Sequence, residues 1–104
     1  MPQFDVYRTP GRARSATPYL LVIQRERYDE TSYRVAVPLV LRSEAKEADR
    51  HLNPGFMIEG REVVMDTLQI VTIRVNVLGN AIDNLAQHGT QIVRAIDELI
   101  AYGK

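Results

Sequence analysis

Apolar and polar residues alternate along most of this chain and then change to helical spacing near its end. Gln3 to Arg8 alternates in the manner of a strand. Residues 9–18 carry Pro10-Gly11, Ser15, Thr17 and Pro18, a turn-rich loop that bears Arg12 and Arg14. Tyr19 to Tyr28 is β-branched and aromatic enough for a second strand, and Asp29 to Ser32 reads as a turn. Tyr33 to Leu41 predicts a third strand, with Pro38 marking an edge or a bulge. Ser43 to Arg50 has the charge of a short surface helix capped by Ser43, and Asn53-Pro54-Gly55 breaks it. Phe56-Met57-Ile58 and Glu62 to Met65 flank Glu59-Gly60-Arg61, a tight hairpin signal. The clearest strand runs from Ile70 to Leu78, with Val71, Ile73, Val75 and Val77 on one face and Thr72, Arg74 and Asn76 on the other.

From Gly79-Asn80 onward the spacing changes. Ile82, Leu85, Ile92, Ile96 and Leu99 recur in steps of three, four or seven, one stripe of a C-terminal helix. Gly89 lies on that stripe and leaves two readings. Either the helix breaks at His88-Gly89 with Thr90 as a new N-cap, or one helix continues and the glycine admits a close backbone approach. The register of Leu85, Ile92 and Ile96 favours the second. Beyond the stripe stands a bare tail, Ala101-Tyr102-Gly103-Lys104, placed to be read by another protein. Strands first and one main helix last predict a mainly β domain built on an antiparallel sheet or small barrel, rather than βαβ units.

Composition narrows the function. At 104 residues the chain makes a single domain, 1–104, and 45% hydrophobic content argues against disorder. Thirteen basic residues balance thirteen acidic ones. That argues against a partner held mainly by its phosphates, so direct nucleic-acid binding is not expected, although a local basic patch stays open. No cysteine is present, and neither a signal-peptide layout nor a membrane-length apolar run is found. The expectation is a soluble, cytoplasmic protein with no membrane association.

Chemistry has no evident home. His51 and His88 lack partners at metal-ligand spacing, and no nucleophile elbow, phosphate-cradling loop or dinucleotide fingerprint exists. No cofactor, metal or catalytic residue is therefore expected. His88 reads as a surface histidine, and Asp29-Glu30 and Asp97-Glu98 as solvated faces. Arginine supplies eleven of the thirteen basic residues. Arg8, Arg12 and Arg14 surround the first loop, and Arg25, Arg27 and Arg34 flank the second turn. Arginine forks at such places suit carboxylates at an interface, against the simpler reading of scattered solvation.

Short segments across nearly the whole chain resemble the CcdB family of bacterial toxins. Gln3-Phe4-Asp5-Val6-Tyr7 is similar to the family's Gln-Phe-x-Val-Tyr opening, and Tyr19 to Gln24 to its second strand ending in Val-Gln. Val35-Ala36-Val37-Pro38-Leu39 resembles Val-Ile-Pro-Leu, while Leu52-x-Pro54 and Met57-Ile58 match the approach to the hairpin. Met65 with Thr67, Val75-x-Val77-Leu78-Gly79, and Leu85, Ile92, Ala95 and Ile96 follow in family order.

The resemblance implies an SH3-like β-barrel of the CcdB/MazF/Kid type, with a small added sheet, one C-terminal α-helix and a homodimeric assembly. A helix packed near the twofold interface would then account for Gly89. It further implies a non-enzymatic toxin of a type II toxin–antitoxin module, which binds the DNA gyrase A subunit, traps gyrase on cleaved DNA, and is neutralised by a CcdA-like antitoxin. The tail that the family inserts into gyrase commonly ends in Gly-Ile, after a tryptophan in the best-known member. Tyr102-Gly103 preserves aromatic-glycine if one residue is inserted; without a gap Ala101 takes the tryptophan position, and Lys104 replaces the final isoleucine. Arg27 and Tyr28 stand where that member's loop has two isoleucines. The gyrase-binding residues implied are Ala101, Tyr102, Gly103, Lys104, Arg27 and Tyr28. Two alternatives accompany this reading: a relative with reduced or lost gyrase activity that acts mainly by binding its antitoxin, and an endoribonuclease of the MazF/Kid type using Arg12, Arg14 and His51.

Overall fold

A computed structural model describes residues 1–11 and 16–103. Among these residues seven antiparallel strands form one sheet: β1 (Asp5–Arg8), β2 (Tyr19–Val22), β3 (Tyr33–Leu41), β4 (Gly55–Ile58), β5 (Arg61–Met65), β6 (Val71–Arg74) and β7 (Asp83–Asn84). A single α-helix, α1 (Gly89–Ile100), follows them. The sheet order is β4-β5-β3-β2-β1-β7, with β6 also paired to β3. The result is the nearly closed, barrel-like sheet with one C-terminal helix that the pattern predicts. It stays open between the free edges of β4 and β7, where Gly55, Met57, Glu62, Asp83 and Leu85 line a cleft of about 510 Å³.

Alternation explains the core. Tyr19 and Leu21, Val37 and Leu39, Phe56 and Ile58, and Val63 and Met65 each sit two apart, and all face the same cluster. Leu85, Ile92 and Ala95 close it from the C-terminal side. Central strands are buried on the other face as well, at Leu20, Val22 and Ala36.

β3 organises the sheet. Ile23 N–H donates to the Val35 carbonyl at 3.1 Å, so residues 35, 37 and 39 turn their main-chain groups toward β2. Residues 36, 38 and 40 therefore face the opposite edge. Along that edge Tyr33 to Ala36 pair with β6 and Leu39 to Leu41 pair with β5. Pro38, which has no N–H to offer, falls at the changeover, and its carbonyl accepts the Asp66 N–H at 2.9 Å. The proline marks an exchange of partners on an interior strand, not an edge or a bulge.

Several elements are shorter than the pattern predicts. β2 stops at Val22, and the charged run Arg25-Glu26-Arg27 bends into a single 3₁₀ turn over Glu26–Tyr28. The Ile70–Leu78 strand contracts to Val71–Arg74 and continues as a 3₁₀ turn at Val75–Val77. No α-helix forms over Ser43–Arg50. Only a 3₁₀ turn at Arg42–Glu44 is present, because the Asp49 carboxylate accepts the N–H groups of His51 (2.8 Å) and Leu52 (3.2 Å) and holds the backbone in a competing turn. The hairpin follows expectation: Glu59 and Gly60, at φ 52° and 75°, form its two-residue turn.

The C-terminal segment contains the largest correction. Helix begins only at Gly89, while Asp83–Asn84 pair with β1 and Ala86–His88 form a 3₁₀ turn. Ile82 and Leu85 reach the core from strand and turn, at a spacing that coincides with helical periodicity. The break at His88-Gly89 is real, but Thr90 is not its cap. A Cβ on Gly89 would stand 3.0 Å from Cε2 of Phe4, so the glycine admits the Phe4 ring of its own protomer. The chain's own packing accounts for it, without any subunit interface.

Ile92 is fully buried and ties α1 to the sheet. Ile92→Ala is expected to destabilise the fold by about 3 kcal/mol through lost burial and the cavity left behind. Urea denaturation of the variant and parent, read by far-ultraviolet circular dichroism, measures the difference.

Candidate functional site

The implied binding residues fall on two elements, the segment after α1 and the turn after β2. Ile92 and Ala95 anchor the helix, and Ala101 ends it, its N–H donating to the Asp97 carbonyl at 2.7 Å. Tyr102 then stands clear of the protein at 107% relative exposure, and Gly103 adopts φ 117°, a conformation open to glycine. Lys104 lies outside the described residues. An aromatic ring presented just beyond a docked helix, with no intramolecular use among the described residues, is suited to contact a partner.

Arg27 and Tyr28 project from the 3₁₀ turn, both exposed, with the guanidinium 5.4 Å from the tyrosine ring centroid. Their loop is braced from within. Gln24 Nε2 donates to the Tyr28 carbonyl at 3.1 Å, and its Oε1 accepts the Val35 N–H at 3.2 Å. Arg34 does more. Its Nη1 donates to the carbonyls of Thr31 (2.7 Å) and Tyr33 (2.8 Å), its Nη2 to that of Asp29 (3.1 Å), and its Nε lies 3.3 Å from Asp29 Oδ1. The Met1 ammonium reaches the other oxygen of Asp29 at 2.8 Å.

This overturns two readings from sequence. Arg34, only 5% exposed, is an internal brace rather than an interface fork, and Asp29 is its counter-charge rather than a solvated acid. Burial pushes the Asp29 carboxyl up, but the ammonium hydrogen bond and the Arg34 charge outweigh it and hold the group below the usual carboxylate range. Nearby, burial and then the Asp5 carboxylate, which accepts the Tyr7 hydroxyl at 3.4 Å, push Tyr7 up to about 12. The alternating pattern of Tyr33 to Leu41 contains Arg34 without marking it as buried. Only its length and its proximity to Asp29 in sequence hinted at the pairing.

The remaining arginines divide. Arg8 pairs with Glu59, while Arg12 and Arg14 lie outside the described residues. No hydrogen bond or ion pair links the tail to the Arg27–Tyr28 turn among the described residues. His88 is half-buried against Phe56, with ring centroids 5.4 Å apart, so it is not the free surface histidine that its polar neighbours predict.

A third surface was not singled out from sequence. Leu68 (64% exposed), Ile70, Val71 and Val77 lie on and around β6, and the turn Thr67–Gln69 packs on α1, whose Val93 and Ile100 are exposed too. The alternation of residues 70–78 gives one apolar face, and within one protomer it is only partly covered, with Ile73 and Val75 half-buried and Val71 and Val77 exposed. Among the described residues no group of three or more His, Cys, Asp or Glu could hold a metal ion, and no helix is long and apolar enough to cross a membrane.

Residues 3–101 match the model of the family described as CcdB protein. No curated protein matches the chain.

Asp29→Asn removes the only counter-charge within reach of the Arg34 guanidinium among the described residues, and is expected to cost about 2–3 kcal/mol. Because the folded-state pKa of Asp29 lies below the unfolded value near about 4, its contribution is complete above that pH. It is lost as pH falls through the folded pKa. Parent stability measured from pH 7 down to pH 2 should therefore fall toward that of the variant, and a constant gap across the range would refute the assignment.

Proposed function

The chain belongs to the CcdB family, which places it among the toxins of toxin–antitoxin modules, and from that premise we propose that it binds the DNA gyrase A subunit and traps gyrase on cleaved DNA. The observation that carries this reading is the presented aromatic: Tyr102, fully exposed, immediately after a helix locked into the core. Binding of this kind concentrates its energy in a few anchors at the centre of an interface, and tyrosine is a favoured anchor. The arginine and tyrosine of the braced 3₁₀ turn supply a second contact with little conformational freedom to lose.

The homodimer belongs to the same proposal. The apolar side chains around β6 and α1 give a second copy a surface to cover, and two copies would present two tails. A CcdA-like antitoxin is the neutralising partner in the cytoplasm. Function on this reading is capture of a larger enzyme, with no bond made or broken by the toxin and no cofactor used.

Deleting Tyr102 to Lys104 is expected to leave the thermal midpoint within a few degrees of the parent, since Tyr102 packs against nothing. The same deletion should abolish the gyrase-dependent accumulation of cleaved plasmid DNA. A truncated protein that still traps cleaved DNA would remove the tail from the mechanism. Sedimentation equilibrium is expected to give twice the 11.8 kDa chain mass; a monomer at all concentrations would refute the assembly.

A further inference from the structure

Charge is balanced over the whole chain but not over its surface. Arg50 and His51, from the turn before β4, meet His88 and Arg94 across a cleft of about 380 Å³. Both histidines of the protein are in it. Thr90 and Gln91 add polar neutral groups, and no carboxylate lines it. Two other clefts differ: Glu44, Lys46, Glu47 and Asp66 mix charges in one, and Glu62 and Asp83 make the β4–β7 cleft, which His88 also borders, acidic.

The donors are uncommitted. Among the described residues none of the four basic side chains enters an ion pair or a hydrogen bond. The nearest acid by sequence, Asp49, lies outside the cleft wall; the N–H groups of His51 and Leu52, and then the nearby His51 and Arg50 charges, hold its carboxyl below the usual range. The turn itself is fixed to the sheet. Asn53 Nδ2 donates to the Met65 carbonyl at 2.9 Å, and the Thr67 hydroxyl donates to the Leu52 carbonyl. On the opposite wall, Thr90, Gln91 and Arg94 share one side of α1 through i, i+3 and i+4 spacing, and His88 is steadied by Phe56.

We propose that this cleft binds a phosphate group, with the Arg50 and Arg94 guanidinium forks as its principal ligands and the two imidazoles as further donors. Guanidinium pairs match the oxygens of phosphate in geometry and charge, and their bonds to it are about twice as strong as neutral ones. Two arginines from separate elements, with no competing carboxylate in the cleft wall, form a receptor for a doubly charged oxyanion. The phosphate is that of a free nucleotide or of a nucleic-acid backbone. The site is separate from the tail and the Arg27–Tyr28 turn, and it does not rest on the gyrase reading.

The test is nuclear magnetic resonance of the isotope-labelled full chain in chloride buffer, titrated separately with inorganic phosphate, adenosine monophosphate and a short single-stranded oligouridylate. Saturable shifts at Arg50, His51, His88 and Arg94 are expected with inorganic phosphate, at a dissociation constant on the order of millimolar. The double variant Arg50→Gln/Arg94→Gln should weaken that binding at least roughly tenfold, as loss of a charge-assisted contact implies. Arg42→Gln, at an exposed arginine outside the cleft, should leave it unchanged. The single variants Arg50→Gln and Arg94→Gln are measured beside the double one, with thermal denaturation confirming each fold. Tighter binding of the mononucleotide names a free nucleotide as the source, and tighter binding of the oligouridylate names a backbone. The proposal is overturned if no probe shifts the four residues saturably, if the glutamine variants bind as the parent does, or if Arg42→Gln loses as much as they do.

Discussion

Everything in this fold is arranged around β3 and the partner exchange at Pro38. A strand that pairs with β2 over Ala36 to Leu39 on its first edge and divides its second edge between β6 and β5 joins two parts of the sheet into one core. A residue with an N–H at the changeover, where β3 is half-buried, would offer a donor that falls between the registers of β6 and β5. Proline removes that donor, and its carbonyl is still satisfied by Asp66. The hairpin β4–β5 and strand β6 can therefore diverge without orphaning the backbone between them.

The same strand sets up the candidate binding loop. Arg34 comes from β3 but spends its guanidinium on the carbonyls and carboxylate of residues 29–33. A buried charge normally destabilises a sheet; here it is matched by Asp29 and converts an otherwise loose connection into a fixed one. Arg27 and Tyr28 ride on that connection. The tail is treated alike at the other end of the chain, where a helix docked through Ile92 and Ala95 carries Tyr102 into solvent. Both implied contact regions are exposed side chains next to anchored elements, the braced turn and the docked helix.

Surface character also separates by region. The apolar side chains gather around β6 and α1, the acidic ones at the gap between β4 and β7, and an uncommitted basic group at the cleft of Arg50 and Arg94. A net charge of zero conceals this division, because summing charges along a chain discards where folding puts them. Family membership speaks to partner capture. The division of the surface says that more than one kind of partner chemistry has a place on a chain this small.

The sequence by itself determined the β-rich order, the Glu59-Gly60 hairpin and the stripe of Ile92 and Ile96, because each is written in local periodicity or turn chemistry. It also carried the family, in short segments at preserved spacing from Gln3 to Ile96. Only the tertiary structure decided where helix α1 starts, since Ile82 and Leu85 can reach the core at helical spacing from a strand and a turn. It alone showed that Gly89 yields to Phe4, that Arg34 is an internal brace, and that the alternating face of β6 is only partly covered within one protomer. The basic cleft was equally hidden, its walls being separated by more than thirty positions in the chain. Periodicity reports which side of an element is apolar; what lies against that side depends on contacts between distant segments, and those exist only once the chain has folded.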